Sequence, residues 1–389
     1  MLKTLTAYTT EIDNSATAVQ EILDQLRPAE QLRSNSVGII ACHSEFVDSG
    51  AAKTICDSLP FDVVGTITTV QATGDAIGML HLSLMVLTSD DLTFKVARTG
   101  SIIDQTTAAI EQAYQEAAAA QSSDPALLFM FGPYRADKFG DDYVNTLTRL
   151  SHGAPCFGTL AVDDTPGFQK SYMLYNGEPY RDALSLILIY GALQPKFYIA
   201  TISPDKLINH PALITSADCH IIKEINHRPV TEYFQNLGLI PANIEGYTYA
   251  MASCPFVLDY GDGTPPVSKV FIGLNEEHHA ICAGITPEGS TIYLGIAEKT
   301  DTLLTTRAAV QAALQDAAGA SGILVYSCIS RYMALGSDFF AEIELVRDEI
   351  AGRLPFMMNY SGGEACPTQI KDNVSVNRFH NNAFILCLF

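Results

Sequence analysis

The sequence predicts an α+β protein of two related halves, each made of mixed, largely antiparallel sheets covered by helices. Three observations lead there. Strand-like and helix-like apolar patterns alternate along the first hundred residues. A series of features in the second half repeats features of the first at an offset of about 200 residues. The composition, 48% hydrophobic and 17% charged, is that of a chain able to bury large cores. Two copies of one design then either stack into an α/β/β/α sandwich or stand as separate lobes.

Taken in order, residues 2–9 read as a strand. Residues 15–26 carry Val19, Ile22, Leu23 and Leu26 at helical spacing and stop before Pro28. Residues 37–42 are a short apolar strand, 51–59 a helix ended by Pro60, and 61–65 another strand. The stretches 76–87 and 92–97 flank Thr88-Ser89-Asp90-Asp91 and read as a hairpin, followed by an Ala-rich helix over about 103–120.

From that helix onward the repeat becomes visible. Ile103, Ile110, Tyr114 and Ala118 fall on Leu303, Val310, Leu314 and Ala318, one face of a helix in both copies. Pro155-Cys156-Phe157-Gly158 falls on Pro355-Phe356-Met357-Met358, Asp164 on Glu364, and the strand 183–188 on 383–388. The strand 127–131 matches 323–327 at a shift of 196, which pairs Arg135 with Arg331. The hairpin preceding the helix is expected again at 280–285 and 291–297. Between the copies, 203–218 is polar and contains Pro204 and Pro211, a connector. The expected domains are residues 1–216 and 217–389.

The balance of 23 basic against 43 acidic side chains, a net charge of -20, argues against nucleic acid and against an anionic membrane surface. The beginning of the chain lacks a secretory pattern, and the longest apolar stretch, 183–193, is about half of what spans a bilayer. The nine cysteines show no C-x-x-C spacing and sit mostly in apolar runs, so a zinc site is not expected and a reducing cytoplasm is.

Familiar catalytic signatures are absent: no Gly-x-Ser-x-Gly, no Walker loop, no Gly-x-Gly-x-x-Gly after a strand, no His-Glu-x-x-His. What remains are polar groups at strand ends. Tyr360-Ser361-Gly362-Gly363-Glu364 follows an apolar strand, and its glycines let backbone N–H groups and a carboxylate approach a ligand; an ordinary turn with a solvated Glu is the competing reading. Cys328-Ile329-Ser330-Arg331 leaves another strand. Its Arg either clamps a ligand carboxylate or pairs with Glu364 as structure. Asp163 and Asp164, with Arg135, are the first-copy counterparts. His380 precedes the last strand, where a lone His is commonly a local hydrogen-bonder. His278 and His279 alternate across a strand and are no metal pair.

Several stretches resemble the FIST family, whose members carry an N-terminal and a C-terminal FIST domain in sensory and signal-transduction proteins. Lys223 to Tyr233 resembles the opening of the C-terminal part, Cys328 to Arg331 its Cys-x-x-Arg element, Gly363-Glu364-Ala365-Cys366-Pro367 its Gly-Glu-x-x-Pro signature, and His380-Asn381 its closing strand. Its Glu-bearing helix matches around Glu342 and Glu344. In the N-terminal part, Val64-Gly65-Thr66-Ile67-Thr68 and Phe157 to Asp164 match, with Thr159 and Thr66 departing from the family's Gly and Cys. The resemblance implies a non-catalytic module that binds a small ligand, amino acids being proposed for the family. Kinases (histidine kinases among them), chemoreceptors or cyclic-dinucleotide enzymes serve as its partners. On that reading the site comprises Arg331, Tyr360, Glu364, His380 and nearby Cys328, with Arg331 taking a carboxylate and Glu364 an ammonium. No cofactor is required. Two alternatives stand beside it: a haem or nitric-oxide sensor using His279 or His380, and an enzyme with Glu364 as general base and Cys328 as nucleophile.

Overall fold

A computed structural model describes residues 1–389 except 75, 136, 209, 241–254 and 373. The first 89 residues form a unit that the rest of the chain repeats. A strand β1 (Lys3–Thr9) leads into helix α1 (Ser15–Leu26), whose apolar stripe buries Ala18, Ile22 and Leu26 and whose Asn14 accepts from the Thr17 N–H. After the single turn α2 (Pro28–Gln31) comes β2 (Asn35–Cys42), then helices α3 (Ser44–Asp48) and α4 (Ala51–Asp57), and β3 (Val63–Ile67) parallel to β2. A short hairpin, β4 (Gln71–Thr73) and β5 (Ala76–Gly78), precedes β6 (Leu82–Ser89), which runs antiparallel to both β1 and β2.

The second unit has the same plan: β7 (Thr93–Arg98), α5 (Thr106–Ala118), β8 (Leu127–Gly132), α6 (Gly140–Leu150), β9 (Cys156–Leu160), the hairpin β10 (Met173–Tyr175) and β11 (Glu178–Tyr180), and β12 (Ser185–Tyr190). The third starts with β13 (Lys196–Ala200). An insert then intervenes, carrying α7 (Val230–Asn236) and, among the described residues, eight short strands β14 to β21 between Ala212 and Leu294. The plan resumes with α8 (Lys299–Gln315), β22 (Ile323–Cys328), α9 (Ile329–Ala334), α10 (Ala341–Ile350), β23 (Phe356–Ser361), the hairpin β24 (Glu364–Lys371) and β25 (Val374–His380), and β26 (Phe384–Leu388).

Each unit builds one six-stranded sheet and completes another. The orders are β1-β6-β2-β3-β10-β11, β7-β12-β8-β9-β24-β25 and β13-β26-β22-β23-β4-β5. The hairpin of the second unit therefore closes the sheet of the first, that of the third closes the second, and that of the first closes the third. The inner faces of all three sheets share one apolar core, with Val37 and Ile39 from the first, Phe129 and Phe157 from the second, and Tyr326 and Met357 from the third. The alternate residues of the same strands face outward, each sheet under its own helices: Ile40 with α1 and α4, Met130 with α5 and α6, Val325 with α8 and α10. The insert has a separate core around Phe234, Phe256 and Phe271.

The expected mixed, largely antiparallel sheets with helices are present, and the internal repeat extends to a third copy. Helices cover the outer face of each of three sheets, where a stacked pair had been one expectation. Two registers also differ. Pairing through β9, β12 and their counterparts sets Phe131 on Tyr326, a shift of 195 where 196 was expected. The stretches 280–285 and 291–297 lie in the insert, and the counterpart of β7 is β13. The hairpin expected over 76–97 does not form: β6 pairs with β1 and β2 in the first sheet and β7 with β12 in the second, so the turn after Ser89 passes between sheets, while β5 pairs with β4 in a hairpin of its own. No helix among the described residues is long and apolar enough to cross a membrane.

Candidate functional site

The parallel pairs β2–β3, β8–β9 and β22–β23 all point the same way in their sheets, and at their C-terminal ends the shared core turns from apolar to polar. Inward positions there carry Thr66, Thr159 and Asn359 on the middle strands. Gln71, Met173 and Glu364 head the incoming hairpins opposite them. All but the methionine are polar and all are at most 2% exposed. His81, Ser83 and Ser185 join this layer at the starts of the returning strands, and Gln71 ties it together, its amide N donating to the His81 carbonyl and its Oε1 accepting from the Ser83 N–H at 3.2 Å.

The third unit supplies the densest part. Glu364 opens β24 directly across from His380 of β25, so both side chains lie on the inner face. The Ser361 hydroxyl donates to Glu364 Oε1. Ser330 donates to Cys328 Sγ at 3.2 Å and accepts from Asn382 Nδ2 at 2.9 Å, and Cys328 N–H bonds the Ala383 carbonyl. Gly363 sits at φ 136°, and a Cβ there would meet the Phe379 ring at 2.3 Å and Asn381 Nδ2 at 3.0 Å. The second glycine of the Gly-Gly pair is thus required both by its backbone angle and by the close approach of the β25–β26 turn.

Burial controls the protonation of this cluster. It raises the Glu364 carboxyl well above its ordinary value despite the hydrogen bond from Ser361. Burial, then the neighbouring Glu364, pushes the Cys328 thiol up to about 12. Burial, followed by the Lys269 charge, drives His380 down to about 3, so its imidazole is neutral. Its Nε2 lies 3.4 Å from the Cys366 carbonyl and must donate, which leaves Nδ1 as a lone-pair acceptor. That nitrogen, Glu364 Oε2 and Asn381 Oδ1 are buried without a hydrogen-bonding partner. Glu364, His380 and Asn381 are each at most 1% exposed.

Of the five residues expected from sequence, the structure brings Glu364, Cys328 and His380 together. Arg331, itself in α9, and Tyr360 lie on the other side of the sheet, with Arg331 against α8 and α10. Arg331, expected to hold a ligand carboxylate or Glu364, instead gives Nε and Nη2 to Glu342 at 2.9 and 2.8 Å, and Nη2 also to Thr306 and the Thr302 carbonyl. Glu342 further accepts from Ser327 at 2.7 Å, a fully buried and well-bonded ion pair. Tyr360 stacks edge-on against Tyr332 and belongs to the helix-side core. Strand alternation explains the split: on β23, Asn359 and Ser361 point in and Tyr360 points out.

Asp164 is also no counterpart of Glu364. It sits 45% exposed in the loop after β9 and meets His43 at 3.3 Å, while the position matching Glu364 is Met173. Arg135 pairs with Asp137 at the surface. His279 lies in the insert, its backbone N–H donating to Asn275 Oδ1 at 2.7 Å. Ser361 and Asn381 stood inside motifs singled out in the sequence but without a role of their own, and Asn382 stood beside one; Gln71 and His81 come from the first unit and carry no local signal. Among the described residues no three His, Cys, Asp or Glu side chains are grouped to hold a metal.

Family models match most of the chain: the FIST N domain over residues 36–228 and the FIST C domain over residues 232–367. No curated relative matches the sequence. Among solved structures, the chain is similar to a cyanuric acid hydrolase from A. caulinodans at 9% identity and TM-score 0.37, covering 100% of this chain and 99% of that one. It is similar also to phosphoribosylformylglycinamidine synthase II from Thermotoga maritima at 8% identity and TM-score 0.20, covering 100% of this chain and 71% of that one.

Proposed function

The chain belongs to the FIST family, whose domains serve sensory and signal-transduction roles, and from that premise we propose that it binds a small metabolite bearing a protonated amine, an amino acid being the leading case. The ligand group would lie against Glu364, His380 and Asn381, with Ser361 and Cys328 beside them. A separate kinase, chemoreceptor or cyclic-dinucleotide enzyme in the cytoplasm would read the bound state.

The observation that supports this is the trio of orphaned buried atoms, Glu364 Oε2, His380 Nδ1 and Asn381 Oδ1. Leaving such groups unpaired costs about 1–3 kcal/mol each, so a partner that pairs them gains that back on binding. Two of the three can only accept, and the third accepts once Glu364 ionises. An ammonium offers three N–H donors and a charge that favours the ionised carboxylate. Hydrogen bonds to charged groups contribute about 1.5–3 kcal/mol apiece, and three approach the ~8 kcal/mol of a micromolar complex. Arg331 is held by Glu342, so the geometry favours recognition of the amine end of an amino acid over its carboxylate.

The other readings draw less support. A nucleophilic Cys328 needs a thiolate, and its environment disfavours one. A haem at His380 would have to bring a porphyrin against a ring that is 1% exposed. Calorimetry with amino acids, their decarboxylated amines and their N-acetyl derivatives separates the cases. We expect binding by the first two, at least tenfold weaker binding by Glu364→Gln, and none by the acetylated set. Equal binding of acetylated compounds, or binding by none, would overturn the proposal.

A further inference from the structure

Every side chain of the proposed site is at most 3% exposed, so a ligand can reach it only if a neighbouring element moves. The walls are mostly strands hydrogen-bonded into the three sheets. The roof over the β25–β26 turn is different: it comes from the insert. Strand β18 (Val267–Lys269) lies along the end of β25, and the Ser268 carbonyl accepts the Asn381 N–H at 2.9 Å. The Ser268 hydroxyl is itself buried and without a partner at this junction.

We infer that the described residues of the insert, 203–208, 210–240 and 255–296, form a lid over the ligand site, hinged where the chain joins the body and held shut by the buried ion pair between Lys269 and Asp141. The inference rests on reading the polar layer as that site.

The hinge follows from where the insert begins and ends. Its two joins lie side by side: Ser203 bonds Asp301 through its N–H at 3.3 Å and through its hydroxyl, Leu207 bridges Gly295, and Lys206 meets Glu298 at 2.9 Å. A module attached at one place and carrying its own apolar core can swing as a body.

The latch lies at β18, where Lys269 pairs with Phe256, which pairs in turn with Leu294, so it stands two strands from the joins. Lys269 Nζ bonds both Asp141 oxygens at 2.9 and 3.1 Å and the Phe379 carbonyl at 2.9 Å, and the Ile285 N–H bonds Asp141 at 3.0 Å. One charge comes from the lid and the other from the first turn of α6, and Phe379 immediately precedes His380. Such a pair is poor stabilisation compared with apolar packing, but removing one partner strands the other. It holds a closed state shut without having to hold the fold together. Arg378 reaching Asp262 and the Tyr260 ring adds a second, more exposed contact between lid and hairpin.

The buried thiols test this without any ligand, so failure here is distinct from failure of the amine reading. The full chain is treated with iodoacetamide and labelling is read cysteine by cysteine by mass spectrometry. Asp141→Asn and Lys269→Met should each raise the rate at Cys328 at least tenfold while Cys42 and Cys156, buried in the other two units, stay slow. In the wild-type protein at low urea, Cys328 should likewise label before those two. An unchanged Cys328 in the variants, or all three thiols rising together in variants or in urea, would overturn the lid.

Discussion

His380 and Glu364 face each other with opposite proton linkages. His380 titrates near 3 when folded against 6.5 in a free chain, so between those values the unfolded chain takes up a proton that the folded one refuses. Stability from this residue is complete above pH 6.5 and is lost as pH falls toward 3. His81, lowered to about 4 by burial, acts in the same sense. Glu364, raised, works the other way: its contribution is present below about pH 4.5 and declines as pH rises. Between pH 6.5 and pH 5 we expect the wild-type protein to lose about 2 kcal/mol more stability than a His380→Asn variant, measured by urea titration at each pH. At this scale the sequence was partly legible. Glu364, Cys328 and His380 were visible as polar groups at strand ends. The role of Arg331 was not, because its partner Glu342 stands eleven residues on in a helix, and nothing local shows which face of the sheet a residue after a strand will take.

The strands carry a constraint that composition hides. Gly158 lies opposite Met130 in the parallel pair β8–β9, and a Cβ there would stand 2.2 Å from the Met130 carbonyl oxygen. Gly65 meets the Ile40 carbonyl in the same way in the first unit. In the third unit the matching position is Met358, fully buried. Gly158→Ala should therefore destabilise by about 3 kcal/mol through overpacking, and Met358→Ala by about 2–5 kcal/mol through a cavity. Equal chemical-denaturation midpoints for wild type and Gly158→Ala would refute the first. Most elements were legible from apolar period and from proline stops. The β8–β22 register is not written in the apolar pattern to within one residue, since it is decided only by which residues face the common core: Phe131 and Tyr326 both do, whereas Ser327 faces Glu342.

The whole molecule is a ring of three units, each completing its neighbour. Two copies stood out in the sequence because their strands β9 and β23, β12 and β26 keep one offset of 200. The first copy was hidden because its offset to the second drifts from 90, for Ala41 against Phe131, to 102, for Ser83 against Ser185. Drift of that kind comes from loop length, which folding tolerates cheaply. The exchange of hairpins predicts that residues 1–216 made alone lack β24 and β25 for the second sheet, and leave β4 and β5 without theirs. We expect that fragment to aggregate and to be recovered as a folded complex when residues 217–389 are co-expressed, as read by size-exclusion chromatography. A monomeric fragment with cooperative unfolding would contradict this.

The same ring bears on how the protein is made. The strands of the first sheet are all present once Tyr180 has left the ribosome. The hairpin at Gln71 must wait for Phe356–Ser361, and β9 must wait for Glu364–Lys371. Until residues 356–380 emerge, then, two sheets are held open at edges that only those residues can close, and the nascent chain stays in need of protection from neighbouring polysomes.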